Sequence, residues 1–256
     1  MVFSKLQFPS PPWTTHGKRL ESAVRKAIFD FDLFENVSRI GVALSGGKDS
    51  ITMLFLLHAI SGCGVPPFEM VGLHVSHEGK AISPLVKEAC SHLSIPLYTK
   101  SMSYTHDDCY SCSRERRRLL FSMAQETNCS TIAFGHHRDD NAQTLLMNLL
   151  HKAEFAGLLP KIHLAAYNTT IIRPLIYLEE KNIETFVSHY GLAGSTCQCA
   201  AGHMRLRKKT DRLLEKIEEL YPNARGNLAQ AALLFGSKKA QEVPEKFKLK
   251  LRDYSF

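Results

Sequence analysis

The stretch Arg39-Ile40-Gly41-Val42-Ala43-Leu44-Ser45-Gly46-Gly47-Lys48-Asp49-Ser50 decides how this chain of 256 residues folds. In residues 39–44 the apolar Ile40, Val42 and Leu44 alternate with the small Gly41 and Ala43, the pattern of a short buried strand. Residues 51–60 follow as an apolar helix, so the hexapeptide 45–50 is a strand-to-helix turn. Its two adjacent glycines let the backbone turn tightly and leave N–H groups uncovered. A helix N-terminus, with unpaired donors and the positive end of its dipole, points into the same place. Lys48 adds a full charge, and Ser45 and Ser50 add hydroxyls. The ligand chemistry of such a turn is a polyphosphate.

The spacing separates this turn from two commoner phosphate loops. It is neither the G-x-x-x-x-G-K-S/T of P-loop kinases and GTPases nor the G-x-G-x-x-G of dinucleotide folds. S-G-G-x-D-S instead resembles the PP-loop of the ATP-pyrophosphatase superfamily. Its members cleave ATP between the α and β phosphates and leave AMP on a substrate oxygen. The competing reading is a serine-capped glycine turn with no ligand.

Composition frames the partners. Lys and Arg number 32 against 25 Asp and Glu, giving a net charge of +7 and a pI near 9.0. That balance fits an anionic partner such as RNA. Residues 1–13 carry Pro9, Pro11 and Pro12 and no apolar signal core, and no apolar run is long enough to span a bilayer. Seven cysteines, an odd number without an export signal, argue against a disulfide scaffold. A cytoplasmic protein with metal-bound or reactive thiols, and no membrane contact, is expected.

The rest of the chain alternates helix and strand. Residues 15–36 read as an amphipathic helix, with Leu20, Val24, Ala27, Ile28 and Phe31 on one side and Lys18, Arg19, Arg25 and Lys26 elsewhere. Strands are expected at 70–75, 96–101, 130–135 and 171–175, the last broken by Pro174. Helices are expected at 83–93, from the arginines through Leu119, Leu120, Met123 and Ala124, at 141–150, at 179–190, and as a pair within 213–235. Residues 157–161 read as a loop, and the tail after Lys238 as charged and loosely held. The fold class is α/β: a parallel sheet with right-handed crossovers and ligands at the strand C-terminal ends. Residues 1–36 form an N-terminal helical segment, 37–192 the phosphate-binding domain with a cysteine insertion, and 193–256 a C-terminal cysteine turn with helices.

Three clusters carry further chemistry. His74 and His77 close the second strand and read first as local polar residues. Cys109-Tyr110-Ser111-Cys112 runs directly into Arg114, Arg116, Arg117 and Arg118. A thiol pair beside that much charge fits half a zinc or iron–sulfur site, with the arginines drawing phosphate. His136-His137-Arg138-Asp139-Asp140 sits at the fourth strand's C-terminal end. There either aspartate can cap the following helix or carry the Mg²⁺ that accompanies ATP.

Taken in order, S-G-G-K-D-S, C-x-x-C with its arginines, G-H-H-R-D-D, G-x-x-P-K, I-R-P-L and a late cysteine turn resemble the tRNA 2-thiocytidine synthetase (TtcA-type) family over about residues 15–235. The resemblance implies a HUP-like, adenine nucleotide α-hydrolase-like PP-loop domain with helical N- and C-terminal additions. It implies that ATP adenylates the C2 oxygen of a cytidine in the tRNA anticodon loop, at position 32, and that sulfur then replaces the oxygen. Ser45, Gly46, Gly47, Lys48, Asp49 and Ser50 would bind the phosphates. Lys48, Asp49, Asp139 and Asp140 would act in catalysis, with Mg²⁺. Cys109, Cys112 and Cys199 would hold a 4Fe-4S cluster. The late segment is Cys197-Gln198-Cys199 where the family usually has C-x-x-C, and holding Arg207 in register selects Cys199. The implied partners are tRNA and a sulfur donor, a cysteine desulfurase or a sulfide carrier, with a homodimer as the default assembly.

Other readings stay open at this point. Four thiolates, or three with His203, could bind zinc, and a metal-free persulfide dithiol is a third option. A tRNA 2-thiouridine synthetase shares the chemistry but usually carries further C-x-x-C pairs near both termini. A non-catalytic RNA-binding module with the same cofactors is the alternative outside enzymes. The chain ends earlier than the usual family member, so a trimmed tRNA contact is expected.

Overall fold

In the computed structural model, which describes residues 8–103, 109–192 and 203–235, Arg39–Ala43 forms the central strand β1. Its register sets Ile40 opposite Met70 on one side and Thr131 on the other. Ile40 and Val42 face one hydrophobic core and Ala43 the other. The small residues are required on that second face, because a Cβ on Gly41 would come within 2.6 Å of Leu73 Cδ1. The alternation seen in the sequence is therefore one of size as much as polarity.

Around β1 the chain lays down α1 (Thr15–Asp30), α2 (Lys48–Ile60), β2 (Glu69–His77), α3 (Pro84–His92), β3 (Leu97–Met102), α4 (Cys109–Glu126), β4 (Thr131–Ala133) and α5 (Arg138–Lys152). A hairpin of β5 (Lys161–Leu164) and β6 (Thr169–Ile172) follows, then α6 (Glu180–His189), α7 (His203–Leu220) and α8 (Ala224–Phe235). The sheet order is β3-β2-β1-β4-β6-β5. All pairs are parallel except β5 with β6.

Both faces are covered, as a parallel sheet requires. On one face Leu20 and Val24 of α1, Leu54 and Phe55 of α2, Val86 of α3 and Phe186 of α6 share a core with β1. On the other, Leu120, Phe121 and Met123 of α4 pack on Val71, Leu73, Ile132 and Ile171. Burying each such side chain contributes about 1.5–3 kcal/mol. Strand order reverses between β1 and β4, so the loops after these two strands face each other where a ligand site is expected.

The α/β parallel sheet with added helices is as the sequence predicts, with five differences of detail. The helix expected over 15–36 ends at Asp30, and Asp32 beyond it adopts φ +48°, outside the helical region. The helix carrying the arginines begins earlier, at Cys109, so the thiol pair lies in its first turn rather than ahead of it. Residues 161–164, with no strand expected, form the edge strand β5. The strand expected at 171–175 ends at Ile172, since Pro174 has no N–H to extend the ladder. The helix expected from 213 begins at His203 and so includes Arg207, Lys208 and Lys209. Cys197, Cys199 and the tail beyond 235 lie outside the described residues. Among the described residues, no helix is long and apolar enough to cross a membrane.

Candidate functional site

The turn between β1 and α2 is built from its own polar groups. Gly46 adopts φ +83°, the left-handed region, so it is the glycine the turn requires. Gly47 is extended, at φ −83°, and stands at the N-cap of α2 with no side chain capping the helix. The serine hydroxyls brace the loop. Ser45 Oγ accepts from the Gly47 N–H at 3.2 Å, Ser50 Oγ accepts from the Ser45 N–H at 3.2 Å, and Ser50 donates to the Gly47 carbonyl at 3.0 Å. Their main role in this geometry is to fix the backbone that presents its N–H groups.

Facing this turn is the loop after β4. A Cβ on Gly135 would lie 3.1 Å from Asp49 C and Ser50 N, so the two loops touch backbone to backbone. The cleft between them, of about 510 Å³, is walled by Ser45, Asp49 and Ser50, by Phe134, His136 and Asp140, and by Leu158 and Ile171. Four arginines from three parts of the chain complete it: Arg116 and Arg117 of α4, Arg173 after β6, and Arg207 of α7. With Asp49 and Asp140 as the opposing carboxylates, the wall is net positive and suited to a polyanion.

The acidic pair divides its work. Asp140 lines the cleft, and its Oδ2 accepts the His137 N–H at 3.2 Å. Burial works to raise its pKa, but His137, His136, that backbone N–H and Arg207 hold it below the ordinary carboxylate value. Asp139 instead accepts the Glu180 N–H through Oδ2 at 2.8 Å and so caps α6. Asp49 has the opposite balance: burial pushes its pKa up against His137 and Lys48, and its Oδ1 is buried without a hydrogen-bond partner. Asp49 lines the cleft, and a carboxylate oxygen with no hydrogen bond, 3.5 Å from Lys48 Nζ, fits a Mg²⁺ ligand there. His137 stands among the three acids, its ring 3.4 Å from Asp140, 3.8 Å from Asp49 and 3.8 Å from Asp139.

Lys48 leaves the turn sideways. Nζ donates to Glu180 Oε1 at 2.6 Å and lies 3.5 Å from Asp49 Oδ1. Burial alone would lower its pKa, yet the bond to Glu180 and the surrounding carboxylates raise it, so the ammonium is fully charged. The strand-end histidines are local ties. His74 donates from Nδ1 to the Leu44 carbonyl at 2.6 Å, and His77 Nε2 meets Arg116 Nη2 at 3.2 Å.

The structure sorts the basic residues after the thiol pair. Arg116 and Arg117 face the cleft, while Arg118 pairs with Glu115 through two bonds of 2.6 and 2.7 Å. Cys112 is half-buried against the core beneath α4. Among the described residues no group of three or more His, Cys, Asp and Glu is arranged to hold a metal ion. Sequence reasoning did not single out Glu180 or Arg173. Glu180 at the start of a helix reads as an ordinary first-turn acid, whereas Arg173, in the I-R-P-L block, is set just past the end of β6 by its bonds to the Pro160 and Leu159 carbonyls.

A glycine turn at the switch point of a parallel sheet, opening on a cleft lined by arginines and acids, defines a nucleotide-binding α/β protein. Residues 16–194 match the family described as the PP-loop domain. The chain is 31% identical over 229 residues to the tRNA-cytidine(32) 2-sulfurtransferase of Syntrophotalea carbinolica, covering 84% of this chain and 88% of that protein. It is 32% identical over 228 residues to the enzyme of the same name from Anaeromyxobacter dehalogenans, covering 84% and 78%. The chain therefore belongs to the PP-loop family, in the branch of these 2-sulfurtransferases. Its fold is similar to that of the U34-tRNA thiolase NcsA from Methanococcus maripaludis, solved with its 4Fe-4S cluster, at a TM-score of 0.71 and 19% identity over 95% of this chain and 90% of that one.

Proposed function

We propose that this chain is an ATP-dependent tRNA sulfurtransferase that converts cytidine 32 of the anticodon loop to 2-thiocytidine. One observation carries the reading: the PP-loop turn, the first turns of α4 and the basic start of α7 wall a single cleft. The nucleotide turn and the helix that begins with the thiol pair thereby border one cleft. The curated relatives named above support the substrate and the product.

The chemistry is two displacements. The cytidine O2 attacks the α-phosphorus of ATP, an O–P bond forms, and pyrophosphate leaves with the electrons of the broken bond. Hydrosulfide, brought by a sulfide carrier or released from a cysteine desulfurase's persulfide by a thiol reductant, then attacks C2; the C–S bond forms, the C2–O bond breaks, and AMP departs with the original oxygen. The backbone N–H groups of residues 45–50 and the α2 N-terminus would bind the phosphates. Lys48 would offset charge on the leaving pyrophosphate. Asp49 and Asp140 would hold Mg²⁺, with Arg116, Arg117, Arg173 and Arg207 orienting the anions. Asp139 acts through α6, which it caps.

The residues present also fit a 4Fe-4S cluster. Cys109 and Cys112 stand one turn apart at the start of α4, and α4 packs against α7. Cys199 precedes the first residue of α7 by four positions, a span of at most ~14 Å. Cys109 and Cys112 would serve as two of its ligands and Cys199 as the third. A cluster held by three thiolates supplies an iron able to carry the sulfur for transfer.

The reading is tested by following the nucleotide. With tRNA, Mg·ATP and sulfide under anaerobic conditions, AMP and pyrophosphate should form in equal amounts and match the thiolated tRNA. Formation of ADP and phosphate, or thiolation without ATP consumption, would overturn it.

A further inference from the structure

The cation of the PP-loop turn is held by α6. Lys48 Nζ donates to Glu180 Oε1 at 2.6 Å, and the wall of the cleft is formed by its neighbours Ser45, Asp49 and Ser50 without it. Glu180 is firmly mounted. Its N–H donates to Asp139 Oδ2 at 2.8 Å, Glu179 accepts from Arg138 at 3.0 Å, and the Arg138 N–H donates to the Leu178 carbonyl at 2.8 Å. The strip 178–180 is thus bolted to the start of α5, the helix that carries Asp140. Glu184, one turn further along α6, adds a second acid near Lys48.

We propose that Glu180 is a positioning residue that competes with the nucleotide's phosphates for Lys48, yielding it as ATP enters and reclaiming it as pyrophosphate leaves. The proposal rests on the reading of the cleft as an ATP site. A short, half-buried, charge-assisted bond has a definite strength, and any phosphate that takes Lys48 must replace it. Apparent affinity is then lowered by the fraction of molecules in which Lys48 is available. The competition helps turnover, because a cation that clings to pyrophosphate binds product as well as transition state. Removing the carboxylate should therefore tighten binding and slow release, the opposite of ordinary damage to an active site.

The test is a double-mutant cycle read by equilibrium binding of Mg·ATP and Mg·pyrophosphate to the full chain. Glu180→Gln should tighten pyrophosphate about tenfold. It should also lower both KM for ATP and kcat. In a Lys48→Met background the same change should alter binding less than about twofold, since the contact it removes is already gone. Glu180→Asp, which keeps the charge, should stay close to wild type. Glu184→Gln removes a neighbouring charge without touching the bond and should give a clearly smaller shift than Glu180→Gln. Equal tightening with and without Lys48 would mean simple charge removal and overturn the proposal. So would unchanged or weaker binding by a Glu180→Gln protein of normal melting temperature. Failure of the wild type to bind Mg·ATP would instead overturn the nucleotide reading, and the proposal with it.

Discussion

The guanidinium of Arg173 donates from Nε to Nδ1 of His136 at 3.2 Å, while its Nη1 is bonded to the Leu159 carbonyl. A full positive charge thus leans on an imidazole nitrogen that must be unprotonated to accept it. Burial first, and Arg173 second, push the His136 pKa far below its ordinary value, against the opposing pull of Asp140. Burial lowers the Arg173 pKa to about 10, which leaves it charged at neutral pH.

A pH dependence follows. In the unfolded chain His136 takes up a proton near pH 6.5, and in the fold only at much lower pH. Between those values the unfolded state binds more protons, so stability rises with pH there. The contribution is complete above about pH 6.5 and drains away on acidification, and His74, whose pKa burial also lowers, adds the same sign. Arg173→Met should raise the His136 pKa and flatten the melting-temperature profile between about pH 6.5 and 5. Superimposable wild-type and variant profiles, after correction for a constant offset, would contradict this.

The sorting of arginines predicts unequal effects on tRNA. Arg117 and Arg207 are exposed on the cleft wall, whereas Arg118 is tied to Glu115. Replacing Arg117 and Arg207 together by Gln should lower the slope of log affinity against log salt by about two units if each holds one phosphate. Arg118→Gln should leave the slope within about half a unit. Filter binding across a salt series reads both, and a larger effect from Arg118 would reverse the assignment.

Gly157 is packed against Asn141. A Cβ there would collide with Asn141 Oδ1 and come within 2.6 Å of Ala232 Cβ on α8. Asn141 is fully buried, accepts the Leu158 N–H at 2.6 Å and donates to the Ala229 carbonyl at 3.2 Å, so one side chain ties the cleft loop to α8. Gly157→Ala should destabilise the fold by about 1–3 kcal/mol through overpacking. Asn141→Ala should cost a similar ~1–3 kcal/mol by leaving the half-buried Leu158 N–H without its acceptor and removing the tie to α8. Urea denaturation measures each, and a neutral Gly157→Ala would show that α8 is free to shift.

Much of this site was legible in the sequence, because its chemistry is local. The turn at 45–50 and the acids at 139–140 lie on strand-to-helix junctions, and both junctions are marked by short apolar strands followed by helix-capping residues. What the sequence could not give was partnership across the sheet. Nothing near Glu180 announces that it meets Lys48, 132 positions away. The split between Asp139 and Asp140 also depends on where α6 begins. The hairpin strand β5 was missed because Lys161-Ile162-His163-Leu164 is a half-exposed edge whose weak alternation resembles a loop. The sequence shows the serines as phosphate ligands, and only the hydrogen-bond geometry adds that they also brace the turn beside the cleft they line.

The late cysteines give a prediction independent of turnover. With Cys109, Cys112 and Cys199 as ligands, Cys199→Ser should lose most of the cluster's absorbance after anaerobic reconstitution, and Cys197→Ser should keep it. A thiolate ligand is needed where a bystander is not. Loss in Cys197→Ser alone would move the third ligand to Cys197. Retention in both would move it out of this turn, with His203 as the next position to test. Stoichiometric zinc with no cluster in the wild type would remove the iron–sulfur assignment.

The central claim is that this cleft activates a cytidine oxygen for replacement by sulfur, and nucleoside mass spectrometry tests it most directly. Unmodified tRNA is incubated anaerobically with the reconstituted protein, Mg·ATP and sulfide, then digested to nucleosides. The account predicts 2-thiocytidine, at position 32 on fragment mapping, lost when ATP is omitted and reduced at least ~100-fold by Lys48→Ala. Appearance of 2-thiouridine in its place, or no thiolated nucleoside from protein that carries cluster and binds ATP, would contradict it.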